Sequence, residues 1–375
     1  MNLYQAYSEM LFAKAGSLGI PLSGTFELTA RCNLSCKMCY IHKRANDALV
    51  GKREWSGERW LALAEECQRA GMLNLLLTGG EPLLHPDFKE IYIGCRKLGL
   101  MVSVNTNATL IDRDMVDFFA ADPPARLNIS LYGASAETYR ALCGDGSAYD
   151  RVMWAIRALR EAGILVKLNY TISDYNRQDS DAVYAFAREH DIAIQAAAYI
   201  FPPARACENG CGGFERMTPE AAAEALLAIE RLRYSPEELR ERWTDQLAGV
   251  RVENPDDECQ ELPTQRIRCR AGSSTFWITY DGQIRPCGMM PRPTADVDAL
   301  GFDAGWAQIR AAREKILVPT RCTTCPVRHA CDQCAAACIT ETGDFTGVPE
   351  YLCRMTEARL ERIGRELRVG DAGEN

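Results

Sequence analysis

Six times in its first two hundred residues the chain repeats one pattern: a short aliphatic or β-branched run, a polar loop, and an amphipathic stretch with helix start and stop signals. The runs are TFELT (25–29), LNLLLT (73–78), LMVSVN (100–105), RLNISLY (126–132), ILVKLNYTI (164–172) and IAIQAAAYI (192–200). Near-continuous apolar runs suit strands buried on both faces, and the helices between them supply right-handed crossovers, so the expected sheet is parallel. Six such units predict an α/β fold, an open or partial (β/α)6 barrel, with ligands at the C-terminal ends of the strands. Ser56 is placed to cap a helix that Gly71 closes, and Asp87 with Glu90 has the spacing of a capping box opening the next.

The pattern breaks at Phe201, where FPPARACENGCGGFERM carries two prolines and several glycines. Residues 1–215 are therefore the barrel and 216–258 a helical linker, with Pro-started helices after Thr218 and Ser235. Within 259–353, SSTFWITY (273–280), Asp281-Gly282 and QIRPC (283–287) spell a β-hairpin. A terminal helix and tail fill 354–375.

With 43 Lys and Arg against 51 Asp and Glu, the net charge of −8 argues against nucleic acid as the main partner. The N-terminus carries Glu9 and no unbroken apolar run, and no later stretch is apolar enough for a membrane, so a cytoplasmic protein without membrane contact is expected. In a reducing compartment thiols serve metal or redox chemistry rather than disulfides, and this chain has 17 cysteines. Cys32, Cys36 and Cys39 form C-x3-C-x2-C directly after the first strand. Three thiolates holding a four-iron cluster leave one iron open to a small molecule, as an open catalytic metal site does; structural zinc is the rival reading.

This loop and its placement resemble the radical S-adenosylmethionine superfamily. The resemblance implies a [4Fe-4S] cluster on Cys32, Cys36 and Cys39 whose open iron chelates S-adenosylmethionine, and reductive cleavage to a 5′-deoxyadenosyl radical that abstracts a substrate hydrogen. Met38 stands where the family usually has an aromatic residue, with Tyr40 just after. Gly79, Gly80, Glu81 and Pro82 follow the second strand and match the family's motif for the methionine amino group. By the same resemblance Asn105, Asn107 and Ser130 should touch ribose and carboxylate, with Lys167 and Asn169 as weaker candidates. Each of these polar groups could equally satisfy loop backbone.

The C-terminal cysteines resemble a SPASM domain, which appends two auxiliary iron-sulfur clusters. Cys269 and Cys287, with Gly282 before the second, fit its opening motif, and Cys322, Cys325, Cys331, Cys334, Cys338 and Cys353 its remainder. A strict x3 gap after Cys331 lands on Ala335, so either Cys334 or Cys338 serves. Carried over, the family's ligation puts Cys322, Cys325, Cys331 and Cys353 on the outer cluster. Cys269, Cys287 and one of Cys334 or Cys338 then hold the inner one, which Cys259 completes or leaves open. Cys67 and Cys95 read as core residues. Cys143, Cys207 and Cys211 fall in loops expected near the barrel mouth, where a thiol could donate a hydrogen atom; Cys143 is the candidate catalytic thiol. The four histidines show no ligand spacing and read as surface or loop residues.

The resemblance implies an enzyme, a peptide-modifying oxidoreductase above all, installing a crosslink, a thioether, an epimerised or an oxidised residue. A dehydrogenase or epimerase of a small sugar or aminocyclitol is the alternative, and a non-catalytic iron-sulfur carrier a distant one. An electron donor such as flavodoxin or ferredoxin is an implied partner. Only 31 residues precede Cys32, so a leader peptide is expected to be bound by a separate protein or by the barrel itself.

Overall fold

All six runs form strands of one sheet. In the computed structural model, which describes residues 3–41, 43–203, 214–252 and 265–373, they are β1 (Ser23–Thr29), β2 (Asn74–Gly79), β3 (Met101–Thr106), β4 (Arg126–Ser130), β5 (Val166–Thr171) and β6 (Ala193–Ala197), each parallel to its neighbour. Leu75, Leu77, Val102, Val104, Leu127, Ile129 and Leu168 are buried along the strands, as doubly covered strands require.

The covering helices are α1 (Leu3–Leu18), α2 (Gly57–Arg69), α3 (Phe88–Lys97), α4 (Arg113–Ala121), α5 (Ala136–Cys143), α6 (Ala148–Glu161) and α7 (Ser180–Glu189). Helix α1 goes beyond the sequence reading, which gave this segment no structure. Ser56 caps α2 through the Arg59 N–H, and Gly71 follows at φ +107°. The capping box at Asp87 does not form. Asp87 makes no cap bond to α3 and instead accepts the Gly57 N–H at 2.8 Å, so one carboxylate joins the starts of two helices.

The chain continues through α8 (Pro219–Arg233) and α9 (Pro236–Leu247), the latter opened by a full capping box between Ser235 and Glu238. The hairpin strands β7 (Thr275–Ile278) and β8 (Gln283–Arg285) pair antiparallel, and Gly282 turns them at φ +80°. They do not stand apart from the barrel. Strand β7 pairs parallel with β1, so with β9 (Ala295–Asp296) one nine-stranded sheet runs β9-β8-β7-β1-β2-β3-β4-β5-β6. Trp277 of β7 donates its Nε1–H to the buried Glu27 carboxylate of β1 at 3.0 Å.

Helices α10 (Phe302–Arg313), α11 (Ala335–Thr342) and α12 (Glu350–Gly373) complete the C-terminal part. Trp306 and Arg310 of α10 reach back to the Gly19 and Gly16 carbonyls at the end of α1. The expected boundary at 353/354 falls inside α12, which carries Cys353 in its first turn and packs along α8. Among the described residues no helix is long and apolar enough to cross a membrane.

Candidate active site and auxiliary cysteine clusters

The loop after β1 is bolted to the loop after β2 by backbone. The Gly80 N–H donates to the Thr29 carbonyl and the Glu81 N–H to the Arg31 carbonyl, both at 2.8 Å. Arg31 is in turn gripped by the Glu54 carboxylate at 2.8 and 2.7 Å. The chain therefore arrives at Cys32 with its direction set. The Asn107 amide donates to Asn33 Oδ1 at 3.0 Å and points at Cys32 Sγ at 3.7 Å, while its oxygen accepts from Thr109. The Leu34 N–H also points at that sulfur, at 3.4 Å.

These loops line one cleft of about 270 Å³ at the C-terminal ends of the strands. Cys32, Cys36, Cys39, Tyr40, Gly79, Gly80, Asn105, Asn107 and Ser130 all face it. Glu81 and Pro82 are buried and do not line it. The Glu81 carboxylate accepts from Thr106 Oγ1 at 2.8 Å and from the N–H groups of Asn107 and Leu83 at 2.7 and 3.2 Å, while burial pushes its pKa up to about 7. Glu81 thus ties β2, β3 and the glycine loop together. Asn107 lines the cleft, its amide nitrogen holding Asn33 of the cysteine loop and its oxygen holding Thr109 of its own loop. Asn105 accepts from Asn128 at 2.8 Å. Lys167 donates to Gln195 at 2.5 Å.

Sequence reasoning missed Thr78, Thr106, Tyr132, Thr171, Tyr199, Phe201 and Met289, which line it too, beside the apolar Leu34, Met38, Ile41 and Ile200. Three of these end parallel strands, where polar residues deserve suspicion; Met289 arrives from the C-terminal part and carries no local signal. Tyr199 donates to Glu341 at 2.8 Å, and Glu341 holds Arg216 at 2.5 and 2.9 Å, which joins the segment after β6 to α11.

Cys143 does not face the cleft. It is buried at the end of α5, where its carbonyl accepts the Ser35 N–H at 2.9 Å and that of Leu142 accepts the Lys37 N–H at 3.0 Å. The neighbouring Cys143 thiol and burial together hold the Cys36 thiol well above its usual range. Cys32 is raised as well, first by burial and then by the Glu81 carboxylate. Cys67 and Cys95 are fully buried core residues, as expected. His85, also buried, bonds the Trp55 carbonyl at 2.9 Å, His190 caps the end of α7, and His329 bonds the Gln246 carbonyl at 2.8 Å. His42, Cys207, Cys211 and Cys259 lie outside the described residues.

Two further cysteine groups form in the C-terminal part. Cys322, Cys325, Cys331 and Cys353 line one small cavity with Val327, Val348, Pro349 and Leu352. Burial pushes Cys331 up to about 12 and Cys353 to about 11. Cys269, Cys287 and Cys334 pack against a second apolar cluster built on Ile267, Met290, Ile316, Val318, Ala335 and Ala336. Cys334 precedes α11; burial and then Cys287 push its thiol up to about 11 against the opposing pull of the Ala337 and Ala336 N–H groups. Cys338 is fully buried one turn on, its sulfur 3.6 Å from Gln333 Nε2, and burial pushes its thiol up to about 12.

Among the described residues none of the cysteines is in a disulfide, and no three Cys, His, Asp or Glu side chains converge as the ligands of a single ion do. In a four-iron cube each thiolate holds its own iron, so the sulfurs stand farther apart. Thiols that burial keeps from ionising, with N–H groups aimed at their sulfurs, suit iron, whose charge makes the thiolate affordable. The donor set therefore fits a [4Fe-4S] group at Cys32, Cys36 and Cys39.

Residues 26–187 match the radical SAM superfamily. Over 338 residues the chain is 26% identical to an AdoMet-dependent heme synthase of Methanosarcina barkeri, covering 87% of this chain and 94% of that one. It is 28% identical over 286 residues to the sporulation killing factor maturation protein SkfB of Bacillus subtilis, covering 76% of this chain and 64% of SkfB, just under two thirds. The fold is similar to that of SuiB from Streptococcus suis bound to S-adenosylmethionine, with a TM-score of 0.62 at 20% identity over 91% of this chain and 80% of SuiB.

Proposed function

The chain is a radical SAM enzyme with a cysteine-rich C-terminal extension of SPASM type, and from that premise we propose that its substrate is a peptide. Bound at the cleft, the cluster and S-adenosylmethionine supply a 5′-deoxyadenosyl radical, the hydrogen-abstracting agent of this superfamily. The chain's own groups then divide the work. Cys32, Cys36 and Cys39 hold the cluster, the glycine loop with Tyr40, Asn105 and Ser130 seats S-adenosylmethionine, and the aromatic wall of Tyr132, Tyr199 and Phe201 screens the reacting centre from water.

The observation that carries the peptide reading is the absence of charge. Among the described residues lining the cleft there is no Lys, Arg, His, Asp or Glu; hydroxyls, amides, aromatic rings, sulfur, glycines and the aliphatic Leu34, Ile41 and Ile200 make it up. Such a lining offers hydrogen bonds to amides and apolar contact to side chains, but no cation for a substrate carrying several carboxylates. The SuiB structure with its precursor peptide SuiA and the maturation role named for SkfB support the same choice. The near full-length similarity to a heme synthase favours a second reading, a propionate-bearing iron tetrapyrrole.

The test is formation of 5′-deoxyadenosine by the reconstituted, reduced enzyme. One arm offers synthetic peptides encoded by short reading frames beside the gene, the other iron coproporphyrin. A peptide-dependent rise, with loss of about two hydrogens for a crosslink, is the expected result. A rise with the tetrapyrrole alone overturns the reading. A one-electron donor of flavodoxin or ferredoxin type completes the proposed system.

For the auxiliary clusters, the shared cavity supports Cys322, Cys325, Cys331 and Cys353 as one ligand set. The packing of Cys334 with Cys269 and Cys287 supports it over Cys338 as the inner ligand. Cys334→Ala is expected to remove about four irons and Cys338→Ala none, since each cube is held by its own thiolates. Iron analysis showing the reverse would exchange the two roles.

A further inference from the structure

The wall that follows β6 is held from behind by a pair of charges of a kind the cleft lining lacks. Tyr199, Ile200 and Phe201 face the cleft, whereas Arg216 and Glu341 do not line it. The Tyr199 hydroxyl donates to Glu341 Oε1 at 2.8 Å, and Arg216 donates to the same carboxylate from Nη1 at 2.5 Å and Nη2 at 2.9 Å. Arg216 Nη1 also reaches the Ile200 carbonyl at 3.4 Å. Its guanidinium lies 3.8 Å over the centre of the Tyr351 ring, whose hydroxyl donates to the Met217 carbonyl at 2.8 Å. Glu341 stands on α11 and Tyr351 on α12, so both gripping groups come from the C-terminal part. The Phe201 ring meets Tyr199 edge-on with centroids 4.8 Å apart, so a shift of one ring carries to the other.

The Arg216 and Glu341 side chains are 19% and 11% exposed. Two charges taken this far out of water are stabilising only when both are well bonded, which makes such a pair weak as plain glue and effective at fixing one arrangement. We propose that Arg216 and Glu341 are positioning residues for S-adenosylmethionine, acting through Tyr199 and Ile200. They fix where the wall after β6 stands relative to the loops after β1 and β2, and with it the width of cleft the cofactor fills. The proposal rests on the reading of this cleft as the cofactor's seat. A wall that bears on cofactor and transition state alike contributes equally to both, so loss of its support raises KM for S-adenosylmethionine and leaves kcat near wild type.

Three variants of the whole reconstituted chain test it: Tyr199→Phe, Glu341→Ala and the two combined, each assayed for 5′-deoxyadenosine under a chemical reductant over a range of S-adenosylmethionine. A hydrogen bond to a charged group is worth roughly tenfold or more in an equilibrium constant, so Tyr199→Phe should raise KM about tenfold with kcat within about threefold. Glu341→Ala, which also loosens Arg216 from Ile200, should raise it at least as far. The combined variant should match Glu341→Ala alone, because the bond that Tyr199→Phe removes is already broken there. KM within about twofold of wild type in Tyr199→Phe overturns the proposal, and so do effects that multiply in the combined variant. Iron loss with a lower kcat at unchanged KM also overturns it, since that is what a merely structural pair would give. Where Glu341→Ala fails to take up iron, Tyr199→Phe, which deletes a single oxygen, decides alone. Failure of the seat itself would show separately, as wild-type cleavage by Gly80→Ala.

Discussion

Replacing Cys32, Cys36 and Cys39 together by Ala should leave an enzyme that forms no 5′-deoxyadenosine yet keeps about eight of about twelve irons, each four-iron group being held by its own thiolates. The expectation of independence has a structural basis. The three cysteines sit between the ends of β1 and α5, whereas the other two cysteine groups lie around α11 and the start of α12. Folding should survive, because the loop is anchored by bonds that do not involve sulfur, from Gly80, Glu81, Ser35 and Lys37. Iron and sulfide analysis with chromatography of the nucleoside reads both quantities at once. Unchanged iron, or continued cleavage of S-adenosylmethionine, would overturn the assignment of this loop.

The second large effect concerns one hydrogen atom. A Cβ on Gly80 would lie 2.4 Å from the Arg31 carbonyl oxygen and 2.6 Å from that of Ala30. Both obstacles are backbone, so no side chain can swing away, and relief must come from parting the two loops that line the cleft. Gly80→Ala is therefore expected to lower S-adenosylmethionine cleavage roughly 100-fold, the scale on which displacement of about 1 Å acts in a positioned site. The auxiliary irons should remain. Cleavage within a few fold of wild type would show that the close approach of the loops is not what seats the cofactor.

Much of this was legible because the informative residues were local. TFELT and its five successors announced themselves by composition, and Ser56, Thr218 and Ser235 by capping chemistry that needs only a few neighbouring residues. Asp87 shows where locality ends. Its spacing to Glu90 promised a capping box, but the Gly57 N–H, thirty residues earlier in the chain, took the carboxylate instead. Asn107 and Glu81 stood out in the sequence as cofactor contacts, and the structure adds a second task, tying loops together, that spacing could not show. Their partners, Asn33, Thr109 and Thr106, are fixed by how β2 and β3 lie beside the cysteine loop. Cys143 was noticed for its loop and misread as facing the substrate, because the burial of a helix end is decided by what packs on it. The joining of β7 to β1 had no signal in either strand, since nothing in TFWI names its neighbour.

That joining makes the C-terminal part a poor candidate for exchange. A module swapped between relatives must bring its own edge, yet here β1 has a partner on each side and the second is supplied from some 250 residues away. A recombinant that ends before β7 would expose the strand leading into Cys32, bare along one side and carrying the buried Glu27 without Trp277. Such a fragment would be a sticky surface rather than a smaller enzyme. Substrate range in chains built this way would then evolve by changing cleft residues and the loop after β6 within an intact pair of halves, not by trading the halves themselves.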